Sequence, residues 1–76
     1  MQRILIVEDN KTLAKLIAKK ISFELDFEVD VAYNLAEAKL FLNRYNYFLT
    51  LLDINLPDAP NGEIIDYVLD KKNRAI

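Results

Sequence analysis

Ile4-Leu5-Ile6-Val7 runs directly into Glu8-Asp9, and Phe48-Leu49-Thr50-Leu51-Leu52 runs directly into Asp53. Neither run alternates apolar with polar residues, as expected of strands covered on both faces in a parallel sheet. Each is followed by acid, so two buried strands are expected to deliver carboxylates to the same end of a sheet. The intervening and following segments supply the helices that a parallel arrangement requires. From Thr12 to Leu25, Leu13, Leu16, Ile17 and Ile21 recur at helical spacing, with Lys15, Lys19, Lys20 and Glu24 on the other side. Phe27-Glu28-Val29-Asp30-Val31 alternates with period two, and its acids suit a sheet edge, where charge discourages pairing with another chain. Asn34 with Glu37 three residues later reads as a helix start, with Leu35, Ala38, Phe41 and Leu42 on the buried face. After a loop stiffened by Pro57 and Pro60, Ile64, Ile65, Val68 and Leu69 resume helical spacing. The expected elements are strands at 3–7, 27–32 and 48–52 and helices at 11–25, 35–44 and 62–72. The order β-α-β-α-β-α predicts a three-layer α/β domain with a parallel sheet in the order 2-1-3.

Composition limits what such a domain does. Of 76 residues, 53% are hydrophobic and 29% charged, which excludes a disordered tail. A domain this short buries only roughly 60% of its unfolded surface, so the core has little margin. The chain has no cysteine and no histidine, which removes disulfides, the common zinc sites and Ser-His or Cys-His nucleophiles. Its net charge of −2, with basic residues scattered, gives no footprint for nucleic acid or an anionic membrane. The first hydrophobic run is too short and too quickly acidic for a signal peptide or a membrane span, so the expected location is cytoplasmic. A single glycine, Gly62, excludes the Gly-rich phosphate loops. Any chemistry falls to carboxylates.

Ligands of open parallel sheets gather beyond the carboxyl ends of the strands. If strands one and three are neighbours, a spacing of about 4.8 Å brings Glu8, Asp9 and Asp53 around one small pocket. Three converging negative charges favour a hard, oxygen-loving cation such as Mg²⁺. A carboxylate beside that ion can act as a nucleophile toward phosphorus, giving an aspartyl phosphate. Read singly, each acid has a plainer role: Asp9 or Asn10 can cap the following helix, and an aspartate at a strand end often forms a turn. Their joint occurrence at two equivalent strand ends favours the metal site.

The stretch Ile4 to Asn10, followed by Leu51-Leu52-Asp53-Ile54-Asn55-Leu56-Pro57-Asp58 and then Gly62, resembles the receiver domain of two-component response regulators over essentially the whole chain. The resemblance implies that Asp53 accepts a phosphoryl group from a sensor histidine kinase. It implies further that Asp9 and Asp53 ligate Mg²⁺, that Glu8 holds it mainly through water, and that Asn55 adds its backbone carbonyl. Pro57 and Gly62 are expected to shape the loop beside the site without touching phosphate. Four residues separate Pro57 from Gly62 where the family commonly has three, so this loop is expected to be reshaped.

A receiver also implies five strands in the order 2-1-3-4-5. This chain is expected to be truncated before strand four, and so to lack the hydroxyl residue after strand four and the lysine after strand five. Strand three then becomes an edge, and self-association around it as a two-fold dimer is expected. The leading functional reading is a phosphoacceptor module, not a stand-alone enzyme, that passes a signal to an output domain outside this chain. The alternative is a truncated receiver-like interaction module that no longer accepts phosphate. A metal-dependent phosphatase of the haloacid-dehalogenase type is disfavoured, because its second aspartate falls at Asn55.

Overall fold

The computed structural model describes residues 2–53 and 56–70. Six elements follow in the expected order: β1 (Arg3–Val7), α1 (Lys11–Glu24), β2 (Glu28–Ala32), α2 (Leu35–Arg44), β3 (Leu49–Leu52) and α3 (Glu63–Asp70). β2 starts one residue after the expected position, as does β3, and α1 ends at Glu24 rather than at Leu25. The part of the expected third helix beyond Asp70 lies outside the described residues.

The sheet is parallel with order β2-β1-β3. β1 is central, and its apolar run is buried from Ile4 to Val7, which is why this stretch shows no alternation. Leu5 and Val7 stand opposite Thr50 and Leu52 on one side and opposite Asp30 and Ala32 on the other. Paired residues share a face, so these side chains point the same way. There they meet Ala38 and Leu42 of α2, Ile64 and Val68 of α3, and Leu56 and Ala59 of the β3–α3 loop. α1 covers the opposite face, packing against β2 and β1.

Local signals set the helix starts. The Asn10 side chain accepts the backbone N–H of Leu13 at 3.0 Å, so Asn10, not Asp9, caps α1. Asn34 accepts from the Glu37 N–H at 2.8 Å, and Glu37 in return accepts from the Tyr33 N–H at 2.8 Å. Gly62 takes φ of +76°, a left-handed conformation open to glycine at no steric cost, at the entry to α3.

The orientation of α1 corrects the sequence reading. Its inward face is Ala14, fully buried, with Ile17, Ala18 and Ile21 half-buried. Leu13 and Leu16, expected in the core, are 42% and 64% exposed. At about 100° per residue, Leu16 and Phe23 lie opposite Ala14 and Ile21. The small Ala14 allows the helix backbone to come close to the sheet, which decides the rotation; the larger leucines point away.

Candidate metal and phosphoacceptor site

The site follows from the register. The Asp53 N–H donates to the Val7 carbonyl at 2.8 Å and the Glu8 N–H donates to the Ala32 carbonyl at 3.0 Å, which continues both ladders one step past the strands. Asp53 therefore emerges beside Glu8-Asp9. Each of Glu8, Asp9 and Asp53 offers a carboxylate oxygen, and these oxygens lie within 4.8 Å of one another. Glu8 and Asp53 are half-buried and Asp9 is exposed. Glu8 and Asp53 also line a small cavity of about 110 Å³, together with Ile6, Ile17 and Leu51.

The electrostatics are those of crowded anions. Burial pushes the Glu8 carboxyl above the usual carboxylate range, and the neighbouring carboxylates of Asp53 and Asp9 push the same way; the hydrogen bond from the Asn10 N–H at 3.1 Å opposes them. Among the described residues, no ion pair reaches Glu8 or Asp9. The donor set is all oxygen, anionic and open on the solvent side at Asp9, which fits a small hard cation that keeps part of its water shell. Lys11 is exposed, with its ammonium 5.3 Å from the centre of the Tyr33 ring.

The structure brings Glu8, Asp9 and Asp53 together, whereas Asn55 lies outside the described residues. Pro57 occupies the corner of a tight turn in which the Ala59 N–H donates to the Leu56 carbonyl at 3.1 Å. Gly62 sits at the entry to α3, away from the carboxylates in sequence.

Three features escaped the sequence reading. Asp58 accepts backbone hydrogen bonds from Leu35 at 2.7 Å and Ala36 at 3.0 Å. Asp30, read as a solvated edge charge, instead accepts from Arg3 at 3.0 Å and from the Tyr47 hydroxyl at 2.7 Å. Thr50 is fully buried, and its hydroxyl has no hydrogen-bond partner among the described residues. Each depends on the third dimension. The Asp58 and Asp30 bonds span 17 to 27 residues, and no local pattern announces them.

Comparison with solved structures places this geometry. The response regulator TrrA from Thermotoga maritima, in complex with Mg²⁺-BeF, superimposes with a TM-score of 0.85 at 33% identity, over 99% of this chain and 64% of that one. The MaeR response regulator bound to beryllium trifluoride gives a TM-score of 0.87 at 26% identity, over 100% of this chain and 65% of that one. This is a response-regulator receiver fold. The non-phosphorylated HemR receiver domain from Leptospira biflexa extends the likeness, with a TM-score of 0.79 at 27% identity over 95% of this chain and 57% of that one. The chain thus spans less than two-thirds of the length of each of these receiver structures. No protein-family model and no curated protein matches it. Among the described residues, no helix of this receiver fold is long and apolar enough to cross a membrane.

Proposed function

We infer that this receiver fold is a phosphoacceptor module in which Asp53 takes a phosphoryl group from the phosphohistidine of a sensor histidine kinase. The reading is carried by one observation: three carboxylates with oxygens within 4.8 Å of one another at the carboxyl ends of β1 and β3. Glu8, Asp9 and Asp53 would hold Mg²⁺. When bound, the ion neutralises the phosphoryl oxygens and offsets the repulsion among the three acids. An Asp53 carboxylate oxygen attacks phosphorus, the phosphorus–nitrogen bond to the imidazole breaks, and the departing imidazole takes up a proton, leaving an acyl phosphate on Asp53. Val7 fixes the Asp53 backbone through the 2.8 Å bond, so the nucleophile is held on the rigid end of a strand.

The event is stoichiometric modification, not turnover of a free substrate, and its readout belongs to an output domain outside this chain. The cytoplasm is the compartment in which such a kinase would meet it. Incubation with Mg²⁺ and a small phosphodonor, followed by intact-mass measurement, tests the reading. One phosphoryl adduct per chain, absent from Asp53→Asn, is the expected result; no adduct on the wild-type chain overturns it.

A second reading, an interaction module that does not accept phosphate, draws support from a different feature. β3 pairs only with β1 among the described strands, and Leu49, Leu51 and Leu52 along it are only half-buried. Open strand edges beside apolar side chains favour association. Self-association through β3 as a two-fold dimer is the corresponding proposal, and sedimentation that finds a folded monomer at high concentration refutes it.

A further inference from the structure

We propose that Asp58 is a positioning residue that ties the loop following the phosphoacceptor to the first turn of α2, so that a change of charge at Asp53 is felt at the Leu35 and Ala36 amides. The proposal rests on the phosphoacceptor reading of Asp53 and names where that site is felt in the fold.

A helix leaves its first backbone N–H groups without partners inside the helix. In α2 the work is divided. Asn34, adjacent in sequence, takes the Glu37 N–H at 2.8 Å. The Leu35 and Ala36 N–H groups go to the two oxygens of Asp58, at 2.7 and 3.0 Å, across 23 and 22 residues. The donors hold the Asp58 carboxyl below its usual range, with Leu35 the largest influence and Lys39 adding its charge. An ordinary helix cap is supplied by the residue that starts the helix. Here it comes from another element, five positions after the phosphoacceptor.

The segment bearing Asp58 is anchored on both sides. Leu56 and Ala59 are buried with Ala38 and Leu42 of α2 and Ile64 and Val68 of α3, and the 3.1 Å bond between them closes the turn whose tip is Pro57-Asp58. On the sheet side the Asp53 N–H is fixed to Val7. The backbone at Asp58 is therefore held close to α2 by the burial of Leu56 and Ala59. Leu56 follows Asp53 by only three positions in the sequence, so a phosphoryl group at Asp53 acts close to the turn that carries Asp58. Packed cores shift between discrete arrangements and do not deform smoothly, so the α2 amides are where the displacement is read.

Amide hydrogen exchange on the 76-residue chain, with and without Mg²⁺ and beryllofluoride as the probe, tests this. Fluorine NMR of the bound beryllofluoride reports occupancy independently. Binding is expected to change exchange at Leu35 and Ala36 by about fivefold, the factor a capping interaction carries, and to leave Glu37, capped by Asn34, as the internal control. In Asp58→Ala the response at Leu35 and Ala36 is expected to vanish while beryllofluoride still binds; Asp58→Asn, which keeps one acceptor oxygen, retains part of it. Bound beryllofluoride with unchanged exchange at both amides in the wild-type chain overturns the proposal and leaves the phosphoacceptor reading standing. A full response in Asp58→Ala also overturns it, and if that variant does not fold, the wild-type arm and Asp58→Asn decide. Failure of beryllofluoride to bind overturns both readings together.

Discussion

Toward the amino ends of the strands, Asp30 accepts from Arg3 at 3.0 Å and from the Tyr47 hydroxyl at 2.7 Å, and the Arg3 guanidinium also lies 3.9 Å from the centre of the Tyr45 ring. At the carboxyl ends, Glu8, Asp9 and Asp53 crowd within 4.8 Å, and no ion pair reaches Glu8 or Asp9 among the described residues. Both clusters are built on the same sheet, and both hold half-buried carboxylate. In the first, every charge is answered within the chain. In the second, like charges are held together, and burial and the neighbouring carboxylates push the Glu8 carboxyl above its usual range. A carboxylate's surroundings, more than its burial, separate the two clusters.

The contrast is broken most sharply at Asp53. Asp53→Asn is expected to abolish the phosphoryl adduct entirely by intact mass, whereas Tyr47→Phe leaves its yield unchanged; loss of the adduct in both would show that the two ends are not independent. Cation binding comes next. At tenfold excess over its dissociation constant, Mg²⁺ adds about 1.4 kcal/mol, or roughly 6–11 °C in the unfolding midpoint of a chain this size. Calorimetry should find that gain in the wild-type chain and little of it in Asp53→Asn. An effect of about the same size is expected from Tyr47→Phe, which removes one hydrogen bond to a charged acceptor and costs about 1.5 kcal/mol in denaturant unfolding.

The same tyrosine gives a pH signature. Burial first, then its hydrogen bond to Asp30 and that carboxylate's charge, push the Tyr47 hydroxyl well above the ordinary tyrosine range. The folded chain thus holds this proton more tightly than the unfolded chain. The resulting stability is complete below about pH 10 and is lost as pH rises toward the folded value. Unfolding free energies measured across that range should fall more steeply for the wild-type chain than for Tyr47→Phe. The smallest change is Thr50→Val, which removes a buried hydroxyl with no hydrogen-bond partner among the described residues. It is expected to stabilise the chain by about 1 kcal/mol, and a loss of that size would show that the hydroxyl is hydrogen-bonded in solution.

The sequence disclosed these regions unequally. β1 and β3 were readable because a doubly covered parallel strand leaves an unbroken apolar run, and their acids were readable because they end such runs. The capping role of Asn34 was equally plain, since both partners lie within three residues. α1 was misjudged at Leu13 and Leu16: apolar spacing weighs side chains by hydrophobicity, while the fold chose the face where Ala14 allows the closest approach. Phe23, 89% exposed, belongs to that same outward side. The Arg3–Asp30–Tyr47 cluster and the Asp58 bonds stayed invisible because each joins elements that only the folded topology makes neighbours.

The pairing of Val7 with Leu52 carries one last implication. Strand alternation has a period of two, so sliding β3 by a single residue would turn both Thr50 and Leu52 away from α2 and α3, to the face that α1 covers. Asp53 would then leave Glu8 by a full strand step. An insertion or deletion inside β3 is therefore penalised first by its apolar residues, and the convergence of the three carboxylates inherits its fidelity from side chains that are not part of the cluster.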